Sequence, residues 1–223
     1  MDATLKAELV SYEWLSLEAL EEEHRFDERL VDGFGQSFLD LRDLCRQATD
    51  TADGEFRAGR IVVMGLTNQA HLLLIGGLRA LGDGNVVVWS ACVRGLVEVF
   101  GACVLIRDKR SFAPTLLDHV KAGRLYAAAE RSLPGLGSDI KRLNEVVHPG
   151  ARAMYAGHRM VDPHASYAEF KYGLSPLPQA EAREGITVLA NMAHHIVEKL
   201  KLIVADGVAF QEGKVIMGRP GRD

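Results

Sequence analysis

The sequence predicts an all-α protein, an up-and-down bundle of about six or seven helices around a long central helical hairpin. Apolar residues recur at steps of three and four along most of the 223-residue chain, and we find no succession of alternating strand patterns. Two long apolar stretches without proline also flank the turn sequence GDGN. Short connections between amphipathic helices favour antiparallel neighbours, so these patterns indicate a bundle.

The central hairpin is expected over residues 61 to 106, with its turn near Gly84. The second arm has a face of large apolar side chains at helical spacing. A neighbouring face carries small residues and one glutamate: Ala91, Gly95, Glu98 and Ala102. Small residues allow a second backbone to approach closely. We therefore expect another helix to pack against this face.

Two helices are predicted before the hairpin. The first extends from about residue 4 to residue 24 and ends in a run of glutamates. The second has an apolar stripe at steps of three and four, formed by Phe26, Leu30, Phe34, Phe38, Leu41 and Cys45. The sequence TDTADGE then ends the helical pattern.

Three helices are predicted after the hairpin. The first begins near Pro114 and continues to Ser132, and the second covers residues 139 to 148 with Ser138 as its N-cap. The irregular segment 151–178 follows. The last helix, residues 179 to 207, has the core stripe Leu189, Met192, Ile196, Leu200 and Ile203.

The domain organisation has two interpretations. Residues 1–58 form an N-terminal helical arm or hairpin and residues 59–223 the bundle domain, or the whole chain is one continuous domain. With 48% hydrophobic residues, the chain can build a sizeable core.

Charge is unevenly distributed around a net value of −4. Residues 1–32 hold ten acidic and three basic residues, and the acidic segment could contact a partner protein. Residues 107–159 hold ten basic and five acidic residues, which permits a local contact with RNA, although an acidic protein is a poor non-specific binder of nucleic acid.

The composition also predicts a cytoplasmic protein that does not cross a membrane. Three scattered cysteines do not suggest a disulfide framework, and the N-terminus lacks the pattern of a secretory signal. Each arm of the hairpin is nearly long enough to span a bilayer. However, Arg94 and Glu98 in one arm and Asn68, Gln69 and His71 in the other make insertion costly.

A buried polar cluster of His71, Arg94 and Glu98 is expected inside the hairpin. Arg94 and Glu98 are four residues apart and can pair, and His71 lies at a similar depth to Glu98 in the opposite arm. One interpretation is a structural ion pair that fixes the helix register. The other is a polar pocket, because perturbed titrating groups cluster at functional sites.

A second set of polar residues, Arg142, Asn144 and His148, lies near the end of a late helix. Asn144 and His148 are four apart and share a face, and His148 can act as an acid or base near neutral pH. An arginine beside them can hold a phosphate.

This Arg-x5-His motif in a helical bundle resembles the HEPN superfamily. The resemblance implies a homodimer that brings two motifs together and, in active members, metal-independent RNA cleavage in toxin or abortive-infection systems. Arg142 would then bind phosphate, His148 would act in acid–base chemistry or phosphate contact, and Asn144 would be the accompanying polar residue. Leu143 stands where the commoner family pattern has a polar residue.

A carboxylate-bridged metal centre is a third possibility. Glu145 with His148, and Glu21 with His24, both have the Glu-x-x-His spacing of di-metal bundles. Such a centre needs two further inward glutamates, and among the others only Glu98 is expected to face inward. We therefore expect no metal and no cofactor.

Two functional hypotheses follow from the sequence. The first is a HEPN-like, metal-independent endoribonuclease of the defence type. The alternative is a non-catalytic helical bundle that binds a partner protein or a small ligand.

Overall fold

The computed structural model describes residues 28–49, 58–109, 120–147, 177 and 179–205 of the chain. These residues form six helices, which we number α1 to α6: Glu28–Thr49, Ala58–Gly82, Val86–Lys109, Ala122–Ser132, Leu136–Val147 and Gln179–Ala205. No strand occurs within the described ranges. The predicted all-α class is confirmed.

The turn between α2 and α3 lies where the sequence predicted it. Gly84 adopts a φ of 69°, a left-handed conformation that glycine adopts at little cost. The amide of Asn85 donates to the carbonyl of Ala80 over 2.7 Å. The side-chain oxygen of Asn85 accepts from the amide of Val88 over 3.1 Å, so Asn85 caps the start of α3.

Helices α2 and α3 run antiparallel and pack closely. A Cβ atom built on Gly95 would lie 2.9 Å from the side chain of Leu73, and one built on Gly76 would lie 3.1 Å from the Cys92 sulfur. The two residues of each pair are equally distant in sequence from Gly84, which is the arrangement of a hairpin. The glycine in the small-residue face therefore permits the close approach that the sequence indicated.

Helix α3 occupies the centre of the bundle and packs against α2, α4, α5 and α6. The fully buried side chains include Leu96 and Phe100 from α3, Leu74 from α2 and Ile196 from α6. Removing each of these from water contributes about 1.5–3 kcal/mol. The core around α3 thus provides the main driving force for folding and fixes the positions of the surrounding helices.

Helix α1 joins the same core through its predicted stripe. Phe34, Phe38 and Leu41 are each at most 2% exposed. A salt bridge of 2.7 Å between Lys201 of α6 and Asp40 of α1 fastens the outer side of this contact. In α6, the predicted stripe is confirmed as buried: Leu189, Met192, Ile196, Leu200 and Ile203.

Helix α4 begins later than the sequence suggested. The predicted helix was continuous from near Pro114, but Val120 and Lys121 are not helical and α4 starts at Ala122. Lys121 has a ψ of 132°, an extended conformation, and no side chain caps this end. Helix α4 crosses α3 closely at Gly101. A Cβ atom built on this glycine would lie 2.2 Å from the carbonyl oxygen of Leu125, so only glycine fits without a shift of the helices.

The prediction that Ser138 caps the next helix is wrong. Helix α5 begins at Leu136, three residues before the predicted start at residue 139, and the hydroxyl of Ser138 donates to the carbonyl of Gly135 over 2.8 Å. The carboxylate of Glu130, at the end of α4, instead accepts from the amides of Gly135 and Gly137. A carboxylate at a helix N-terminus satisfies free amides and complements the helix dipole.

Helices α2 and α3 also meet the length and hydropathy criteria for crossing a membrane. The segments are Gly59–Gly82 and Val86–Asp108, with mean hydropathies of 1.6 and 1.7. Core helices of soluble proteins meet the same criteria. Inside the bundle, 39% and 56% of these apolar windows are buried.

Several predicted features lie outside the described residues. They are the helix at residues 4–24, Phe26 of the second predicted stripe, the start near Pro114, the helix end at His148, residues 151–176 and 178 of the irregular segment, and the end of the last helix at residue 207.

Candidate ligand-binding site

Two polar residues of α3 and one of α4 form a hydrogen-bonded chain, which we call the Arg94–Tyr126–Glu98 cluster. The Nε of Arg94 donates to the Tyr126 hydroxyl over 2.6 Å. That hydroxyl donates in turn to Oε1 of Glu98. The Arg94 Nε also lies 3.5 Å from the same Oε1. The four-residue spacing of Arg94 and Glu98 does pair them, and Tyr126 reaches across from α4 to bridge them.

The cluster is half-buried, and its electrostatics follow from this. The side chains of Arg94 and Glu98 are 27% and 28% exposed. Burial raises the pKa of Tyr126, and the Glu98 carboxylate raises it further, against the opposing effect of Arg94. The hydrogen bond to Tyr126 raises the pKa of Arg94. At neutral pH the tyrosine therefore keeps its proton and the arginine keeps its charge.

A cleft of about 470 Å³ opens between α2, α3 and α4 next to this cluster. Most of the wall that the described residues form is aliphatic, and among them Gln69 and Glu98 supply the polar side chains. The described residues that line it are Ile61, Val62, Gly65, Leu66, Gln69, Glu98, Val99, Ala102, Val120 and Leu125. Small-molecule sites are commonly apolar concavities of about 300–1,000 Å³ with a few polar groups, and bundles place them between helices. Glu98 belongs both to the cleft wall and to the cluster.

His71, the third member of the predicted cluster, makes its described contacts with α1. Its Nε2 lies 3.0 Å from the carbonyl oxygen of Phe38, and the two rings are 4.2 Å apart between centroids. Burial lowers the pKa of His71, assisted by Arg42 and opposed by the Phe38 carbonyl. The neutral ring can donate to that carbonyl. Arg94 and Glu98, in contrast, make their described contacts with each other and with Tyr126 of α4.

The second predicted set of residues lies on α5. Arg142 is exposed, and no ion pair to it occurs among the described residues. Asn144 is half-buried, and its Oδ1 is buried with no hydrogen-bond partner in that part of the chain. His148 lies outside the described residues, so the structure does not test whether it lies near Arg142 and Asn144.

The described residues offer neither a metal site nor a reactive thiol at the positions where cysteines are buried. Within the ranges that the structure covers, no group of three or more His, Cys, Asp or Glu side chains could hold a metal ion. Burial raises the pKa of the Cys103 thiol to about 12 and also raises that of Cys92. Because the thiolate is the nucleophile, these two residues are inert near neutral pH.

Tyr126 was missed by the sequence analysis. A single tyrosine stands in the alanine-rich helix AGRLYAAAERS, and this contrast is the only local signal of its role. Its partners are 32 and 28 residues away in sequence, so its bridging position depends on how α3 and α4 cross.

The fold and this site define an all-α helical bundle with a ligand-sized cleft among three of its helices. No family model, no curated protein and no solved structure matches the chain.

Proposed function

We propose that the protein is a non-catalytic helical bundle that binds a small, largely apolar ligand in the cleft between α2, α3 and α4. The observation that carries this proposal is the position of Glu98. This residue lines an otherwise mainly aliphatic cleft, while Tyr126 and Arg94 hold its carboxylate in place. A fixed acceptor at the wall of an apolar concavity orients a ligand, and the aliphatic residues supply the affinity.

The size of the cleft sets the size of the ligand. At about 30 Å³ for each water-sized group, 470 Å³ holds roughly 16 such groups. A neutral aromatic amine such as N-phenylnaphthylamine, with about 17 non-hydrogen atoms, is of this size. At about 0.3 kcal/mol per atom its binding free energy would be about 5 kcal/mol, a Kd on the order of 100 μM.

The cleft can be blocked without disturbing the core. Gly65 lies in its wall, and a Cβ atom built there meets nothing within 4 Å. In a Gly65→Leu variant the side chain therefore grows into open space and occupies the cleft. Gly33 of α1 is also exposed, and a Cβ atom there meets nothing within 4 Å. Gly33→Leu is therefore the matched control.

The test is a fluorescence titration with N-phenylnaphthylamine. We expect saturable binding to the wild-type protein and to Gly33→Leu, and a Kd raised at least about tenfold in Gly65→Leu. Equal binding to all three proteins, or no saturable binding to the wild type, would refute the proposal.

A second function is favoured by the exposed Arg142 and by the unsatisfied Oδ1 of Asn144 on the same helix. On this proposal the chain is a HEPN-like, cytoplasmic, metal-independent endoribonuclease of the toxin or abortive-infection type that acts as a homodimer. An exposed guanidinium can contact phosphate, and a buried unsatisfied acceptor can accept from a histidine ring and orient it. His148 would supply the acid–base group.

Cleavage of a mixed RNA pool in the presence of a chelator tests this second proposal. Arg142→Ala and His148→Ala should both lose activity, whereas Lys141→Ala, which removes the neighbouring exposed cation, should keep most of it. Equal loss in all three variants would indicate a general electrostatic effect, and an inactive wild type would remove the nuclease proposal.

A further inference from the structure

The chemistry of Glu98 restricts the kind of ligand, provided that the cleft binds one as proposed above. Both described contacts of its carboxylate, from the Tyr126 hydroxyl and from Arg94, fall on Oε1. A carboxylate has about four acceptor positions on its two oxygens. Oε2 therefore keeps the capacity to accept a hydrogen bond from a molecule in the cleft that Glu98 lines.

Among the described residues, the charges at the site argue against an ionic ligand. Arg94 lies 3.5 Å from Glu98, so the pair is formally neutral. A cation that approached the carboxylate would gain attraction from Glu98 and meet repulsion from Arg94. An anion would meet the carboxylate directly and would lose its hydration against aliphatic walls. A neutral hydrogen-bond donor meets no charge repulsion and loses no ionic hydration shell.

The other polar side chain of the cleft is compatible with the same ligand class. Gln69 lies one turn beyond Gly65 on α2, and its amide can both donate and accept. The other described residues of the lining are aliphatic or glycine, which favours a ligand body without further polar groups.

We propose that the cleft takes a neutral molecule with an apolar body and one hydroxyl or amide N–H group, and that this group donates a hydrogen bond to Glu98. Tyr126 is a positioning residue in this arrangement, since it holds the carboxylate through Oε1 and leaves Oε2 for the ligand.

Four naphthalene derivatives with the same ring test this proposal: the hydroxymethyl, aminomethyl, carboxyl and methyl compounds. Their Kd values are measured by isothermal titration for the wild type and for Glu98→Met. We expect the hydroxymethyl compound to bind the wild type tightest, about tenfold more tightly than the methyl compound. In Glu98→Met this advantage should fall below about threefold while the methyl compound still binds, which also shows that the variant has folded with its cleft intact.

The possible failures are distinguishable. Tightest binding of the aminomethyl compound would show an acidic site and overturn the neutral-ligand proposal. The same ratio of hydroxymethyl to methyl affinity in both proteins would overturn the role of Glu98 and leave ligand binding in place. If none of the four compounds binds the wild type, the proposed function fails and this inference fails with it. Should Glu98→Met not fold, Glu98→Leu, which likewise has no hydrogen-bond acceptor, is measured in its place, with the same loss of advantage expected.

Discussion

Replacing Gly101 with alanine should separate α3 from α4 and weaken both the fold and the ligand site. The new Cβ atom would lie 2.2 Å from the carbonyl oxygen of Leu125, 2.7 Å from its carbonyl carbon and 3.0 Å from its Cα. These are backbone atoms, so no rotation of a side chain relieves the clash. The helices would have to part by about 1 Å to restore ordinary contact.

The expected magnitude combines two opposing effects. Overpacking of this kind costs about 1–3 kcal/mol. Alanine is also the better helix former, which returns about 0.5–1 kcal/mol. The net loss in the free energy of unfolding is therefore up to about 2.5 kcal/mol, which corresponds to a fall in Tm of up to about 10 °C for a chain of this size.

Chemical denaturation followed by circular dichroism measures this loss, and Gly33→Ala is the matched control. A Cβ atom on Gly33 meets nothing within 4 Å, so that variant should gain about 0.5–1 kcal/mol. Since α4 carries Tyr126 and Leu125, Gly101→Ala should also lower the affinity for N-phenylnaphthylamine. A Gly101→Ala protein as stable as Gly33→Ala would refute the close approach of α3 and α4.

Three further predictions follow from individual contacts. Tyr126→Phe removes the hydroxyl that bridges Arg94 and Glu98 and should cost about 1 kcal/mol in denaturation experiments; unchanged stability would mean that the bridge contributes nothing. Burial lowers the pKa of His71 below its ordinary value, so the unfolded chain takes up the proton first and stability should fall as the pH drops below about 6.5. His71→Gln should flatten this fall in unfolding curves measured across that range, and an identical fall in the variant would contradict the assignment. Lys201→Met breaks the bridge to Asp40 and, because the lysine is 48% exposed, should cost at most about 1 kcal/mol, a loss that shrinks in high salt; a loss independent of salt would indicate packing instead.

Much of the fold could be predicted because the core stripes follow the helical period. In α6 each residue of the predicted stripe is buried, and the stripe of α1 places Phe34, Phe38 and Leu41 in the core. The hairpin turn was marked by Gly84 and Asn85, residues whose conformational and capping preferences are local. These features depend on neighbours within one or two turns, which a sequence displays directly.

The starts of α4 and α5 could not be predicted in the same way. The capping group of α5 is the carboxylate of Glu130, which belongs to the preceding helix and reaches Gly135 and Gly137 only because of the turn between them. Ser138 has the residue type of an N-cap, but it lies inside the helix. The preference of serine for N-cap positions was therefore outweighed by the Glu130 carboxylate of the preceding helix.

The candidate site also combines features that could be predicted from the sequence with features that could not. The pairing of Arg94 with Glu98 follows from their four-residue spacing and was predictable. The contribution of Tyr126 was not, because its bonds cross from α4 to α3. The cleft could not be predicted either. It is a space between three helices, and its lining residues are as far apart in sequence as Ile61 and Leu125.

The measurement that tests the central claim most directly is a methyl NMR titration of the labelled protein with N-phenylnaphthylamine. The account predicts that saturable shift changes concentrate on the methyl groups of the cleft, such as those of Leu66, Val99 and Leu125. Changes centred on the exposed apolar side chains of Leu72 and Leu202, which are 62% and 42% exposed, would show non-specific surface binding and contradict it.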